Sequence, residues 1–289
     1  MQHVLITGTS SALMQELIKK IDTAKFKIFG ISRNKLKINN LTIEKLEGDI
    51  CDPIFIQNII KEKKINSIIH AAAITHSYNS KDYFKVNLQG TVTLVDAAKQ
   101  NSVNSFTLIS SRVAGKKSGA YGLSKLQAEE YVKNNFGHWL IIRPAEIYGG
   151  NKNEGVDKLI HDVENKRIIL CPVNVKSKLY PMHYADAAQA MYKLIFDPQY
   201  DNKTITVNGD EAFTNYEFIR KISAILNKKI FIIPIPKFLM FALKWVLEIF
   251  RIKADIVPDQ IPRLYSLKET GFNYSSIKIE GYIKKIKIN

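Results

Sequence analysis

The chain has 289 residues, of which 46% are hydrophobic and 24% charged, and its formal net charge at pH 7 is +15. This composition is typical of a folded globular protein with enough apolar material for a core, and it excludes a disordered or fibrous chain. Two cysteines, Cys51 and Cys171, are too few for a disulfide framework and favour a reducing, cytoplasmic location. The N-terminus enters an apolar strand at once, so we expect no signal peptide.

The positive charge is spread along the chain in short clusters. The simplest interpretation is a lysine-rich surface, and a second is attraction for ligands that carry phosphate groups. No recognised nucleic-acid motif accompanies the clusters, so we expect no nucleic-acid partner. The clusters fall at residues 61–64, 116–117, 166–167, 228–229 and 284–285.

The most apolar stretch of the chain covers residues 231–250. Prolines and charged residues interrupt it, which argues against a transmembrane helix. We predict a strand, a proline-marked turn and then an amphipathic helix, with weak association of that helix with a membrane surface as the alternative. The interruptions are Pro234, Pro236, Lys237, Lys244 and Glu248.

Strand and helix patterns alternate through the first two-thirds of the chain. Strands are predicted at 3–7, 27–31, 42–46, 67–71, 105–110 and 139–143, and helices at 13–21, 54–63, 83–100, 121–133 and 185–196. Alternating units of this kind predict an α/β protein with a doubly wound parallel sheet. In such sheets, ligands bind beyond the carboxyl ends of the strands.

The alternation loosens after Tyr148, where Gly149 and Gly150 mark a break. We interpret residues 1–149 as a dinucleotide-binding domain that is completed by about 180–207. Residues 150–289 are then mainly a substrate-binding lobe, with a helix expected at 155–166, a strand at 167–171, a strand at 204–207 and a helix at 214–226.

The first strand runs into the segment GTSSALM at residues 8–14. A dinucleotide-binding turn needs small residues where the backbone meets the pyrophosphate, next to a helix N-terminus. Gly8 suits the tight turn, and Ser10 and Ser11 are small, with one of them a candidate helix cap. Ser11 and Met14 stand where further glycines are usual, and Met14 in particular would push the helix away from the sheet. An ordinary turn between a strand and a helix is the alternative.

The second strand ends at Ser32 and Arg33, with no carboxylate for the ribose diol of NAD. These two residues suit the 2′-phosphate of NADP through charge-assisted hydrogen bonds. The sequence therefore favours NADP(H) and leaves NAD(H) open. Asp49 follows the third strand, where it either faces the adenine or caps the next turn.

Tyr121 and Lys125 are spaced to share one face of a helix. The same spacing occurs at Tyr148–Lys152 and Tyr274–Lys278, so spacing alone decides nothing. Tyr121 differs because it closely follows the strand-like run SFTLISS at residues 105–111. A pair on the helix surface is the alternative interpretation.

In their order, these segments resemble the extended short-chain dehydrogenase/reductase family, in its nucleotide-sugar branch of epimerases and dehydratases. The resemblance covers nearly the whole chain and implies a Rossmann-like domain with a smaller C-terminal α/β substrate-binding lobe. It rests on ITG at 6–8, GDI at 48–50, IIHAAA at 68–73, VNLQGT at 86–91, LISS at 108–111, YGLSK at 121–125, RPAEIYG at 143–149 and PMHYADAAQAM at 181–191.

The resemblance implies that Ser111, Tyr121 and Lys125 carry catalysis, with Ser110 as a rival for the serine role. It also implies pairing of two copies through helices beside the active site, which would include residues 121–133. The cofactor-binding residues it implies are Gly8, Ser10, Ser11, Ala12, Leu13, Ser32, Arg33, Asp49, Ile50, Ala71, Ala72, Ala73, Tyr121, Lys125, Pro144 and Ile147.

Two departures from the family pattern bear on the reaction. Arg112 and Val113 stand where 4,6-dehydratases carry an acidic pair, which argues against dehydration. Glu146 replaces an amide that meets substrate phosphates, so we expect it to repel a diphosphate. We favour NADPH-dependent reduction of a nucleotide-linked keto-sugar. A nucleotide-sugar 4-epimerase that retains NAD and a catalytically idle dinucleotide-binding or regulatory protein are the alternatives.

Overall fold

The computed structural model describes residues 1–33, 42–150 and 154–288. Its strands are β1 (Gln2–Thr7), β2 (Phe26–Ser32), β3 (Glu44–Glu47), β4 (Ser67–His70), β5 (Ser105–Ile109), β6 (Trp139–Pro144), β7 (Ile147–Tyr148), β8 (Ile168–Pro172), β9 (Met182–His183), β10 (Lys203–Asn208), β11 (Phe231–Ile235) and β12 (Phe272–Asn273). Its α-helices are α1 (Ala12–Lys20), α2 (Pro53–Glu62), α3 (Ser80–Tyr83), α4 (Gly90–Gln100), α5 (Gly119–Asn135), α6 (Gly155–Asn165), α7 (Tyr184–Ile195), α8 (Asn215–Ile225), α9 (Lys237–Ile249), α10 (Gln260–Tyr265) and α11 (Ile279–Ile288).

Eight strands form one parallel sheet in the order β12-β10-β6-β5-β4-β1-β2-β3. The order reverses between β1 and β4, so the chain winds outward in both directions from the centre. The predicted α/β fold with a doubly wound, Rossmann-like sheet is therefore confirmed. The carboxyl ends of β1, β4, β5 and β6 meet at one edge.

Apolar side chains cover both faces of this sheet, as a parallel sheet requires. On one face, Leu94 of α4 and Val132 of α5 pack against a cluster that includes Phe106 of β5. On the other face, Leu17 of α1 and Met191 of α7 pack together. The helices on these two faces follow the strands in the chain, so their N-termini lie near the edge of the sheet where the strands end.

A third apolar cluster lies outside the large sheet. It joins Val163 of α6, Ile222 of α8 and Ile283 of α11 to Ile169 of β8. β8 pairs in parallel with β11 as a separate two-stranded sheet. This smaller lobe follows β7, whose partner is β9.

The helix expected at 83–100 differs from the observed one. It is entered through α3 and contains a π-helical turn, Phe84–Gln89, before α4 begins. The two-residue strands β7, β9 and β12 and the short helix α10 were not expected, because elements of this length carry no periodic pattern. Among the helices that the structure describes, none combines the length and apolar character needed to cross a bilayer.

Candidate active site

A cleft of about 720 Å³ opens over the carboxyl ends of the central strands. It brings together most of the residues that the sequence suggested as cofactor-binding or catalytic. Those lining it are Ser10, Ser11, Ala12, Leu13, Ala71, Ala73, Ser110, Ser111, Tyr121, Lys125, Pro144 and Ile147. Gly8, Ser32, Arg33, Asp49, Ile50 and Ala72 are not part of its lining.

The turn after β1 has the geometry that a dinucleotide-binding loop needs. Gly8 has φ +74°, and a Cβ there would lie 2.7 Å from the backbone nitrogen of Ala72. Only glycine fits without strain at this point, where the chain passes against the end of β4. Ser11 caps α1, accepting a hydrogen bond from the backbone N–H of Met14 at 3.3 Å. Met14 itself is fully buried in the apolar cluster that α1 shares with the sheet.

The residues suggested for the adenosine end lie along β2 and the loop after β3. Arg33 is exposed at the end of β2. The Asp49 carboxylate accepts a hydrogen bond from the backbone N–H of Cys51 at 3.0 Å, so it caps its own turn. Ile50 is buried against Gly90 at the start of α4. Glu47, which the sequence did not single out, is in register with Ser32 on the same face of the sheet.

Tyr121 lies in the first turn of α5 and is 8% exposed. Its ring meets the ring of Tyr83 edge-on, with centroids 5.9 Å apart. The Arg263 guanidinium lies over the same ring, 4.2 Å from its centroid. Burial raises the pKa of the Tyr121 phenol, while Arg263 and a hydrogen bond with Ser111 act in the opposite direction. The phenol therefore stays protonated at neutral pH.

The cation that acts most strongly on Tyr121 is not Lys125, although a lysine ammonium near a tyrosine favours the phenolate. Lys125 instead donates a hydrogen bond to the carbonyl oxygen of Ile109 at 2.8 Å. The largest effect that lowers the pKa of Tyr121 comes from Arg263, which α10 brings in from the C-terminal part of the chain.

Lys125 is 2% exposed and lies one helical turn beyond Tyr121. Burial lowers its pKa to about 8, against a smaller opposing effect of Glu129. The ammonium thus lies at the floor of the cleft, bonded to the carbonyl oxygen of Ile109 at the end of β5. Behind it, burial lowers the pKa of His70 to about 3, so that imidazole is neutral between Thr7 and Thr91.

The two serines at the end of β5 have different surroundings. The Ser110 hydroxyl donates to the buried Glu129 carboxylate, which also binds Arg143 at 2.6 Å and 2.9 Å. Ser111 is half-buried in the cleft, and its hydroxyl interacts with Tyr121. Ser110 therefore belongs to a buried bracing network, whereas Ser111 is available beside the phenol.

Glu146 is less repulsive toward an anion than its sequence position suggests. Its carboxylate binds Arg112 at 3.1 Å and Lys268 at 3.1 Å. Burial alone would raise its pKa, but Lys268 and Arg112 hold the pKa of Glu146 below the usual range. These three side chains carry a net charge of +1, and the buried Nε of Arg112 has no hydrogen-bond partner among the described residues.

Neither of the other tyrosines with a lysine four residues later lies in such a setting. The Tyr148 hydroxyl donates to the carbonyl of Ile277 in the small lobe, and Lys152 lies outside the described residues. Tyr274 follows β12 and packs under Lys193 at 4.9 Å. Of the three tyrosines, Tyr121 alone lines the cleft.

The C-terminal part of the chain supplies residues that sequence reasoning missed. Asp259 accepts hydrogen bonds from the backbone N–H groups of Ala120 at 2.5 Å and Tyr121 at 3.2 Å, so it caps α5. Arg263 donates to Asp259 and to the carbonyl of Thr75 at 2.8 Å. A carboxylate and a guanidinium four apart on a short helix are common on protein surfaces, so the sequence gave no specific indication of this role.

Asn87 fixes the relation of the strand ends to α5. From the π-helical turn, its side chain accepts from the backbone N–H of Ile74 at 2.9 Å and donates to the Ile74 carbonyl at 3.1 Å. It also donates to the Ser124 hydroxyl at 3.2 Å. Short π-helical turns occur often at functional sites, and this one ties the segment after β4 to the Tyr121 helix.

A doubly wound parallel sheet, a glycine turn after its first strand and a cleft over the strand ends define a Rossmann-like, dinucleotide-binding type of protein. The chain belongs to the NAD dependent epimerase/dehydratase family, whose model matches residues 4–208. The resemblance drawn from the sequence is therefore confirmed at the level of the family.

Individual relatives are distant. The chain is 22% identical over 213 residues to the mitochondrial NADH-ubiquinone oxidoreductase 40 kDa subunit of Neurospora crassa. That match covers 71% of this chain and 56% of the relative.

Solved structures show the same fold at low sequence identity. The dTDP-4-dehydrorhamnose reductase of Bacillus anthracis in complex with NADP is 20% identical, with a TM-score of 0.68, covering 100% of this chain and 99% of the reductase. The UDP-glucose 4-epimerase of Thermus thermophilus in complex with NAD is 16% identical, with a TM-score of 0.65, covering 91% of this chain and 97% of the epimerase. At these identities the likeness concerns the fold.

Proposed function

We propose that this chain is an NADP(H)-dependent reductase of a nucleotide-linked keto-sugar. The observation that carries the proposal is the meeting of Ser111, Tyr121 and Lys125 at the floor of one cleft. Its walls come from β1, β4, β5 and β6 of the dinucleotide-binding sheet. A hydroxyl pair over strand ends, with an ammonium one turn away, suits proton transfer to a carbonyl oxygen.

The residues present fit a dinucleotide. Gly8 lets the chain turn tightly against the end of β4, where a Cβ would meet the backbone of Ala71 and Ala72. This turn brings the start of α1, a site that suits a pyrophosphate, to the cleft. Ala71 and Ala73 line the cleft after β4, and their small side chains leave space there for a ligand. When bound, the reduced cofactor supplies hydride to the substrate carbonyl carbon.

The chain's own residues handle the proton. Ser111 holds the substrate carbonyl oxygen by a hydrogen bond, and Tyr121 donates its phenolic proton to that oxygen as the carbon is reduced. Lys125 would hold the ribose hydroxyls of the cofactor when it is bound. Because burial raises the pKa of Tyr121, the phenol is protonated at neutral pH, as a proton donor in a reduction must be.

The cleft also offers a site for the diphosphate of a nucleotide-linked substrate. Arg112 is 3% exposed, and the Lys268 side chain is 6% exposed beside it. Within the described part of the chain, the buried Nε of Arg112 has no hydrogen-bond acceptor, so it is a donor that a substrate oxygen could satisfy. The positive balance around Glu146 supports an anionic substrate at this wall.

A nucleotide-sugar 4-epimerase that retains NAD is the second candidate, and one observation favours it. Glu47 stands beside Ser32 in the β2–β3 register, where a carboxylate suits the ribose diol of NAD. Arg33 at the end of β2 favours the 2′-phosphate of NADP. The choice between the two cofactors therefore depends on these two side chains of opposite charge.

The catalytic proposal is tested by Tyr121→Phe. Loss of the phenolic hydroxyl should lower kcat for keto-sugar reduction by at least about a hundredfold, since positioned acid catalysis contributes roughly that much or more. The affinity for NADPH, followed by its fluorescence, should stay within a factor of about two. Activity that survives in this variant would contradict the assignment of Tyr121.

The preference between the two cofactors is tested by Arg33→Ala. Arg33→Ala should weaken NADPH binding by about tenfold and leave NADH binding unchanged, since a charge-assisted contact to the 2′-phosphate is lost. Equal losses for both cofactors would remove the argument for NADP(H). Tightly co-purifying NAD would favour the epimerase, and absence of binding by either dinucleotide would favour a catalytically idle protein.

A further inference from the structure

Helix α9 turns an apolar side away from the protein. It packs on the rest of the chain through Met240 and Leu247, which are buried. On its opposite side, Phe238, Trp245 and Ile249 remain 70%, 64% and 52% exposed. Their spacing places all three on one helical face, because residues seven and eleven apart lie nearly in line. The usual arrangement, with apolar residues inward and polar residues outward, is absent from this helix.

The strand pair before α9 shows the same inversion. Phe231 and Ile233 of β11 are 77% and 43% exposed, and their register partners Ile168 and Leu170 of β8 are 55% and 62% exposed. The alternate residues, such as Ile169, are buried in the small lobe. β11 leads through Pro236 directly into α9, so exposed apolar residues recur along the whole segment 231–250. Exposed apolar areas of this extent mark an interaction surface.

Basic residues border this apolar surface. Lys166 and Arg167 precede β8, and Lys228 and Lys229 precede β11. Because the two strands are parallel, these four exposed side chains lie at the same end of the pair. Beyond α9 follow Arg251 and Lys253, both exposed. Residues 228–255 contain six basic and two acidic side chains, namely Lys228, Lys229, Lys237, Lys244, Arg251 and Lys253 against Glu248 and Asp255.

The charge decides which partner fits. A second copy would bring two chains of net charge +15 together, and its lysines would face like charges. An anionic phospholipid surface attracts the lysines and accepts the aromatic side chains at its interfacial layer. Tryptophan and phenylalanine beside lysine are the composition of helices that lie in the plane of a membrane. At 13 residues, α9 is far shorter than the roughly 20 that a membrane-spanning helix needs.

We propose that the surface formed by the outer faces of β8, β11 and α9, called here the apolar face, docks on anionic phospholipid bilayers. The docked helix lies along the membrane surface, with Phe238 and Trp245 in the headgroup region and the flanking lysines on acidic headgroups. α9 contacts α10 through Phe241 and Tyr265, whose rings are 5.8 Å apart. Since Arg263 of α10 lines the cleft, docking places the cleft close to the bilayer. The inference does not depend on the reaction proposed above.

The test is co-sedimentation of the full chain with vesicles of phosphatidylcholine alone and of phosphatidylcholine with phosphatidylglycerol. We expect binding to the anionic vesicles, weakened by added salt, and about tenfold weaker binding or none to the neutral ones. The double variant Phe238→Ser/Trp245→Ser should lose at least about tenfold in partitioning. The matched control Ile54→Ser/Tyr216→Ser changes side chains that are 73% and 51% exposed elsewhere, and it should bind as the unaltered chain does.

The fluorescence of Trp245 provides a second measurement of vesicle binding that does not require the double variant to fold. Trp139→Phe leaves Trp245 as the only tryptophan. Its emission should shift to the blue with anionic vesicles and stay unchanged with neutral ones. Absence of vesicle binding, or equal loss in the control variant, would overturn the proposal. It would also be overturned if the apolar face instead supported a dimer, seen as self-association in analytical ultracentrifugation that the double variant abolishes.

Discussion

Among single side chains, Arg263 has the most direct influence on the candidate proton donor. Its guanidinium lies 4.2 Å from the Tyr121 ring centroid and 5.2 Å from that of Tyr83. It opposes the effect of burial on the phenol. Arg263 is held in this position by Asp259, which also caps α5. One ion pair therefore both positions the tyrosine and adjusts its acidity.

Arg263→Met should raise the pKa of Tyr121 further, because the opposing positive charge is lost. In the oxidation of the proposed alcohol product, where the phenolate accepts a proton, the alkaline rise of kcat/KM should move to higher pH. Arg263→Lys keeps a charge and should restore part of the shift. Arg220→Met removes an exposed arginine that stacks on Tyr216 at 5.9 Å, and it should leave the profile unchanged.

If Arg263→Met lowered activity equally at every pH, its role would be purely structural. The pH profile distinguishes the two roles, because loss of positioning reduces kcat without moving the titration. Thermal melting of the same variants shows whether the cap on α5 survives.

Between elements, a buried ionic network ties α5 to β6. Glu129 is fully buried and binds Arg143 with both carboxylate oxygens, while Arg143 also reaches Glu269 at 2.7 Å. Removing one partner of such a pair leaves the other charge buried and uncompensated. The network thereby fixes α5, and with it Tyr121, against the strand ends.

Glu129→Gln should lower the free energy of unfolding by about 3 kcal/mol or more, measured by urea denaturation, since Arg143 then loses its buried counter-charge. Glu280→Gln breaks an exposed pair in which the side chains are 63% and 52% exposed, and it should leave the denaturation midpoint unchanged. Similar midpoints for Glu129→Gln and the unaltered chain would show that the network contributes little to stability.

The elements that sequence patterns predicted are those with regular burial. The strands of the central sheet are continuous apolar runs, and α1, α2 and α7 have one buried face, so periodicity identified them. The C-terminal contribution to the cleft had no such pattern. α10 has six residues, and its contact with α5 joins Asp259 to Ala120 across 139 positions. Local sequence carries no information about a contact at that separation.

For the candidate site residues too, local sequence patterns were informative and contacts between distant segments were not predictable. Gly8 and Tyr121 could be proposed from the sequence because each lies directly after a predicted strand or at the start of a predicted helix. The different surroundings of Ser110 and Ser111 depend on the Glu129–Arg143 network, and the electrostatic effect of Glu146 depends on Arg112 and Lys268. Charges that converge from distant segments change the chemistry of a site without leaving a local motif.

Over the whole molecule, burying Lys125 costs stability as long as it is charged. Its pKa is lowered from 10.5 to about 8 in the folded chain. Below pH 8 both the folded and unfolded chains hold the proton, so the full cost is present. Between about pH 8 and 10.5 the unfolded chain binds more protons, so this contribution to the free energy of unfolding rises with pH.

The change from this group amounts to roughly 3 kcal/mol at most across that interval. Other groups titrate there too; Cys51, for instance, has its pKa raised by burial to about 11 and acts in the opposite sense. The comparison is therefore between the unaltered chain and Lys125→Met, by urea denaturation of the cofactor-free protein from pH 7 to 9.5. The variant should be more stable at pH 7, and its advantage should shrink as the pH rises. A difference that stays constant with pH would mean that Lys125 keeps its ordinary pKa in the folded chain.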